Sequence, residues 1–504
     1  MFYIYLVFFV VNHKYHDIIR LGDTKVNLKV YQAGLKFMLV NAVKRLYNGE
    51  VIFHHSLDHG IYATIITNKV INENDIIMIK DCMKKIVSEN IPFNKKVVTR
   101  KEAYDFYTKK GHFEKAKNIL NVSNITVSLF EFEGQYNYFY SHDMPKSSGE
   151  LSVFDIFYIS PNEIVLLYPT DGSINFTFRN KIYQAFSSYD IWLNKQNINY
   201  VCDVNREVSG GHVEALIRKN DLVIDNKLYE IAKTVIDENK KIVAIAGPSS
   251  SGKTTTSKKL SLYIASLGKK AIPISLDDFF LNRGETPKDE DGNFDYECLN
   301  ALDLNLFNED LQKLLNGEEV VLPRFDFIDG VKLFDNAPTK LGVDEVLVIE
   351  GLHAINPDLL SIDSKFLYKI YISPLTPLNV DRHNYISTTD NRLLRRIVRD
   401  FRTRGRSAEA SLESWASVRK GEEKYIFPYT DNCDAIVNTA YIYEIGTLKV
   451  YVEPLLYDID INSPMFNEAR RLLDSLKTFY PIPSEYVAKD NLLREFIGGS
   501  SFEE

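Results

Sequence analysis

Four short apolar runs punctuate the second half of the chain: KIVAIAG (241–247), KAIPISLDD (270–278), EVLVIEG (345–351) and YKIYIS (368–373). Each has strand length and little polar alternation, and helix-length segments separate them. That pattern predicts a parallel sheet covered by helices on both faces. The first half has another texture. Aromatic and β-branched runs such as SNITVSLFEFEG (123–134) and YNYFYS (136–141) are broken by polar turns. Helical periodicity predicts helices near Ala33–Tyr47 and Asp75–Asn90, so this half reads as α+β. The texture changes at 225–240. From about Thr447 the pattern NEARRLLDSLKTF (467–479) and the ending LREFIGGSSFEE (493–504) predict a helical extension packed on the sheet domain. The opening MFYIYLVFFVV is apolar for eleven residues, too short to span a bilayer, and predicts a buried strand rather than a targeting segment.

Chemistry enters at the end of the first apolar run. GPSSSGKT, Gly247 to Thr254, fits the phosphate-loop pattern G-x-x-x-x-G-K-[ST], with a strand before it and a helix after it. Gly247 and Gly252 let the backbone curl so that successive N–H groups, through Ser249, Ser250 and Ser251, face a phosphate at a helix N-terminus. Lys253 then reaches the β- and γ-phosphates, Thr254 ligates magnesium, and Thr255 touches the α-phosphate. SLDDFF puts Asp277 and Asp278 at the end of the second strand, where one carboxylate can accept a hydroxyl proton. EVLVIEGLHAIN ends its strand in Glu350, which can hold magnesium directly or through water. NRLLRRIVRDFRTRGR spaces Arg392, Arg395, Arg396 and Arg399 at three and four, then adds Arg402, Arg404 and Arg406. Beside a phosphate loop, this predicts a mobile arginine lid over a triphosphate.

Composition sharpens that picture. The 504 residues suit several domains, and the apolar share of 45% supports real cores. A formal charge of -8 argues against nucleic acid as a partner, so the arginine cluster stands out locally. Cys82, Cys202, Cys298 and Cys433 are scattered without a Cys-x-x-Cys pair, which fits a reducing cytoplasm with neither a disulfide framework nor a zinc ribbon, and the short opening run adds no membrane partner.

With these motifs, residues 240–445 resemble the uridine kinase and phosphoribulokinase family of P-loop kinases. The resemblance implies an α/β domain over 226–445 using ATP and Mg2+. It implies Asp277 as general base near the metal, with Lys253 and Arg404 in catalysis. Glu350 would be the second metal-side carboxylate, beside Thr254. Arg404 and Arg406 would bind phosphate, and Arg396 and Arg399 would approach the acceptor and phosphates. GNFDYECLNALD resembles the family segment whose Asp holds ribose hydroxyls, here Asp295, and VLPRFDF makes Phe325 a stacking partner for a base. After PRFDF stand Ile328, Asp329 and Gly330, where the family has a base-contacting His, so pyrimidine selectivity stays open.

GLHAIN and SWASVRKGEEKYIFPY are closer to a bacterial-type subgroup whose kinase follows a module similar to the N-terminal part of threonyl-tRNA synthetase. That resemblance divides the chain into a truncated TGS-like remnant (1–45), an editing-like α+β domain (46–225), the kinase domain (226–445) and a C-terminal helical extension (446–504). In VIFHHSLDHGIYATI, His55 and His59 stand four apart, as a helix would need to present two imidazoles together, with His142 as a loosely matching third. The family's cysteine is replaced by an aromatic near Phe139 and Tyr140. The expected activity is transfer of the γ-phosphate of ATP to a small alcohol, first a nucleoside 5′-hydroxyl. Open alternatives are a phosphoribulokinase- or pantothenate-kinase-like acceptor, or a nucleotide-dependent RNA-binding regulator. ATP versus GTP and a homo-oligomer stay open.

Overall fold

A computed structural model describes residues 18–21, 24–121, 125–140, 143–170, 172–289, 292, 294–327, 329–360, 362–376 and 378–502. The opening apolar run, His142 and Ile328 lie outside the described residues. Two compact units emerge: Met1–Thr177 with Arg382–Asn384 and Pro454–Lys477, and Phe178–Asp381 with Tyr385–Glu453 and Thr478–Glu504.

The first unit combines long helices, Leu28–Tyr47 and Glu73–Glu89, with antiparallel sheets. One sheet has four strands in the order Glu50–Leu57, Gly60–Ile66, Glu163–Leu167, Asp155–Ser160; another has Asn94–Thr99, Thr126–Phe132 and Gln135–Asn137. The sequence signals are local. Asn72 and Asp75 close a reciprocal capping box at the start of the second helix. Asp58, at φ 51°, carries the turn between Glu50–Leu57 and Gly60–Ile66. This hairpin corrects one expectation. His55 lies within an extended strand and His59 in the turn that follows it, so their spacing of four does not place them on one helical face. The alternating burial of VIFHHSL, a period of two, prevails over the i, i+4 spacing.

The second unit is an α/β domain with one five-stranded parallel sheet, as the apolar runs predict. Its strands are β1 (Ile242–Ala246), β2 (Lys270–Ser275), β3 (Glu345–Glu350), β4 (Leu367–Ser373) and β5 (Ala435–Asn438), in the spatial order β2-β3-β1-β4-β5. All five residues of β1 are 0% exposed, because this central strand is covered on both faces. Register then sets the chemistry. Ile245 pairs with Glu350, and Glu350 with Ser275, so the C-terminal ends of β1, β3 and β2 finish level with one another. Helix α1 (Lys253–Ser266) leaves the loop after β1, helix α2 (Thr388–Arg404) carries the arginines, and α3 (Ala408–Tyr425) follows. No described helix is long and apolar enough to cross a membrane.

The central packing is testable. Ile349, 0% exposed between Ile274 and Ala244 in the sheet register, should cost roughly 2–5 kcal/mol on replacement by Ala. An unfolding free energy, from denaturant titration, lowered by less than about 1 kcal/mol would contradict it.

Candidate active site

The loop from Gly247 to Thr254 is a phosphate cradle held from outside. Three of its carbonyl groups are caught by side chains from later in the chain. Ser249 O accepts from Arg392 Nε at 3.0 Å, Ser250 O from Arg395 Nη1 at 3.4 Å, and Ser251 O from Thr439 Oγ1 at 2.7 Å. Two residues take left-handed backbone, Ser250 at φ 60° and Gly252 at φ 88°. Gly247 is fixed by close approach: a Cβ there would fall 2.5 Å from Ile372 O and 2.6 Å from Ser251 Oγ. Inside, the hydroxyls of Ser250 and Ser251 are buried and unpartnered. Orphaned donors beside a helix N-terminus fit a phosphate ligand. Lys253 Nζ rests 3.4 Å from Pro248 O, within its own loop.

Carboxylates gather at the level strand ends. Glu350 Oε1 accepts from Ser275 Oγ at 2.9 Å and Thr254 Oγ1 at 3.3 Å, an all-oxygen set suited to a hard divalent cation. Burial first, and the Asp277 charge next, push the Glu350 carboxyl well up, while Lys253 pulls it back. Asp277 sits two residues beyond β2, half-buried, and its charge is also felt at Glu297, His353 and Arg404. Asp278 faces elsewhere, accepting from Phe325 N at 3.1 Å; burial raises its carboxyl. The pair of aspartates is thereby separated into one that faces the cluster and one that fixes the Phe325 strand.

The arginines of α2 divide into two groups. Arg392 and Arg395, 1% and 0% exposed, are ion-paired with Glu422 and Glu444 and grip the loop. Arg396 donates to Ser249 Oγ at 2.9 Å, so it too reaches the phosphate loop, and burial lowers it to about 10. Around Asp400, which is 0% exposed, crowd Arg396 at 3.2 Å, Arg399 at 2.8 Å and Arg404 at 3.7 Å. The Arg399 charge, with burial, lowers Arg404. Arg406 turns back to Ala410 O at 3.1 Å. A lid of all seven arginines is therefore not what the structure contains; its first two are scaffold.

On the acceptor side, Phe325 meets Phe280 and Phe327 edge-on, at 5.8 and 5.2 Å. Asp295 Oδ1 accepts from Glu297 N at 3.1 Å within its own loop. Sequence reasoning missed Glu297, whose carboxyl rises to about 7 through desolvation and the Glu422 charge. It also missed His353, whose Nε2–H donates to Glu297 O at 3.0 Å and which burial lowers to about 4. GLHAIN carried the signal for His353: an imidazole just after a strand-end glycine. In the first unit, His55 Nδ1 lies 3.1 Å from Ser56 O, and burial lowers it to about 3. Among the described residues no group of three or more His, Cys, Asp or Glu could hold a metal ion.

A parallel sheet, a phosphate cradle at its central strand and converging carboxylates define a P-loop phosphotransferase domain. Residues 242–445 match the family described as Phosphoribulokinase / Uridine kinase family. Among curated relatives, a uridine kinase of Mycoplasma genitalium is 30% identical over 227 residues, 44% of this chain and 97% of that protein. Those of Borrelia hermsii (30%; 39% of this chain, 85% of theirs) and Halobacterium salinarum (27%; 39% and 78%) are similar over the same share. The chain belongs to the phosphoribulokinase/uridine kinase family through this domain, a kinase whose partners are ATP and a small-molecule acceptor.

The two arginine groups should separate on substitution. Arg395→Met leaves Glu444 buried and unpaired and should cost roughly 3–5 kcal/mol, whereas exposed Arg404→Ala should stay within about 0.5 kcal/mol. Denaturant unfolding of both variants checks this, and equal losses would contradict it.

Proposed function

We propose that the second unit phosphorylates a nucleoside at its 5′-hydroxyl, with residues 226–445 as the kinase domain. The observation that supports it most is the convergence of Asp277, Glu350 and Lys253 at level strand ends, with the Arg404 guanidinium close enough to feel Asp277. In this reading Asp277 takes the proton of the acceptor hydroxyl as its oxygen bonds to the γ-phosphorus. The bond from that phosphorus to the bridging oxygen breaks, and ADP leaves. Gly247, Ser249, Ser250, Ser251, Gly252, Thr254 and Thr255 cradle the phosphates, and Lys253 neutralises the transferring group. Thr254 and Glu350 would hold Mg2+, with Asp277 near it. When bound, that ion would supply positive charge to offset that of the phosphates. Arg396, which reaches Ser249, serves the phosphate side in this reading. Arg399, Arg404 and Arg406 line the far end and exclude water from the reacting group.

For the acceptor, the edge-on aromatic cluster of Phe280, Phe325 and Phe327 supports stacking of a planar base. Asp295 and Glu297 supply carboxylates for hydroxyl groups. For the first unit we propose, on resemblance alone, an editing-type module that binds a ligand or positions a partner.

ADP release with ATP and magnesium, screened over nucleosides and then sugar phosphates and pantothenate-like alcohols, tests the reading. One nucleoside should stimulate turnover. Lys253→Ala should abolish it, and Asp277→Asn should lower it by roughly a hundredfold or more, with the fold intact by circular dichroism. Retained turnover in either variant would overturn the assignment; stimulation by a non-nucleoside alcohol would keep the kinase and replace the acceptor.

A further inference from the structure

The end of the chain reaches back to the phosphate loop. The N-cap of helix α1 is Gly252, which has no side chain with which to cap it. The cap comes from Glu495, whose Oε2 accepts from Thr255 N at 3.3 Å and Thr255 Oγ1 at 2.8 Å. Leu492 presses on the same turn, so that a Cβ on Gly252 would fall 2.5 Å from its methyl carbons.

This segment is anchored on two flanks. Asn491 Nδ2 donates to Asp221 Oδ1 and to Tyr443 Oη, both at 2.9 Å, and Asp490 lies 3.3 Å from Lys259. On the other side Arg402 Nη1 donates to Phe496 O at 2.8 Å, and the Arg395 guanidinium sits 5.1 Å over the Phe496 ring. Arg494 folds the segment on itself through Ser484 O at 2.7 Å and Val487 O at 2.6 Å. Residues 490–498 thus form a strap between α1 and α2.

The strap meets the phosphate cradle unevenly. At one end the Ser250 and Ser251 hydroxyls have no partner, while at the other both donors of Thr255 are taken. A carboxylate and a phosphate are drawn to a helix N-terminus by the same N–H groups and the same dipole, so they exclude one another there. Glu495 also adds negative charge beside Glu350, where its field is felt. Resting on the kinase reading above, we infer that Glu495 occupies the α-phosphate position of the donor site and is displaced by the incoming nucleotide. The strap therefore belongs to the nucleotide site and lowers its apparent affinity by the fraction of molecules in which it is seated. Binding of nucleotide and release of residues 490–498 are one equilibrium.

Equilibrium ADP binding to the full chain tests this with wild type, Glu495→Gln, Leu492→Ala and Lys253→Ala. Glu495→Gln should bind ADP roughly tenfold tighter, the size of one lost charge-assisted competitor. If that variant melts early, Leu492→Ala, which loosens the strap without touching the donors, decides by the same sign. ADP should also speed tryptic cleavage after Arg494 in wild type. Affinity unchanged or weakened in the deciding variant, with Lys253→Ala still losing ADP, overturns the strap and leaves the kinase standing. ADP binding undiminished by Lys253→Ala overturns the phosphate-loop reading itself.

Discussion

The shape of the phosphate loop depends on what holds its carbonyl groups. Arg392, Arg395 and Thr439 take the carbonyl oxygens of Ser249, Ser250 and Ser251 outward. Two guanidinium groups can sit at 1% and 0% exposure only because Glu422 and Glu444 are equally buried beside them. Breaking a buried pair leaves an uncompensated charge, so the network is costly to enter and costly to leave. It contributes shape more than stability. Glu422 also accepts from Ser249 N at 3.0 Å, tying the backbone of the loop directly to α3.

The same network limits motion. Its anchors lie in the first half of α2, so that half moves only if the cradle opens with it. From Arg399 onward the guanidinium groups leave the loop and hold Asp400, Phe496 O and Ala410 O instead. A basic helix that reads as one lid in the sequence is therefore a clamp on the loop in its first half and a cluster around Asp400 in its second.

Much of the sheet and the cradle was legible, because both are written locally. An apolar run needs no distant partner to declare a buried strand, and G-x-x-x-x-G-K-T carries its own backbone geometry. The positions of Glu350, at the end of its strand, and Asp277, two residues beyond another, were legible for the same reason. What escaped is long-range. Arg392 and Arg399 are chemically identical and helically spaced, yet Glu422, 30 residues after Arg392, holds the first, while the second pairs with Asp400. Glu495 lies 240 residues from Thr255, with no local pattern to announce it. His55 failed differently: two periodicities competed in one segment, and burial of alternate residues outweighed a suggestive spacing.

Charge explains why an acidic chain builds such a site. Around Asp400 three guanidinium groups share one carboxylate, and their mutual repulsion shows in the lowering of Arg404 by Arg399. Around Lys253 the balance has the opposite sign: Glu350 and Glu297, both raised first by burial, feel the Asp277 charge as well as that of Lys253. The two excesses touch at their edges, where the Asp277 charge raises Arg404 and the Arg396 charge lowers Glu297. An anion relieves the first and a cation the second, and a metal-bound polyphosphate brings both charges on one body. Preorganised opposite excesses are what an electrostatic catalyst requires, since their cost is met in folding and not at the moment of reaction. The overall charge of -8 is then no obstacle to binding a polyanion, because the field that matters is the one between α2 and the strand ends.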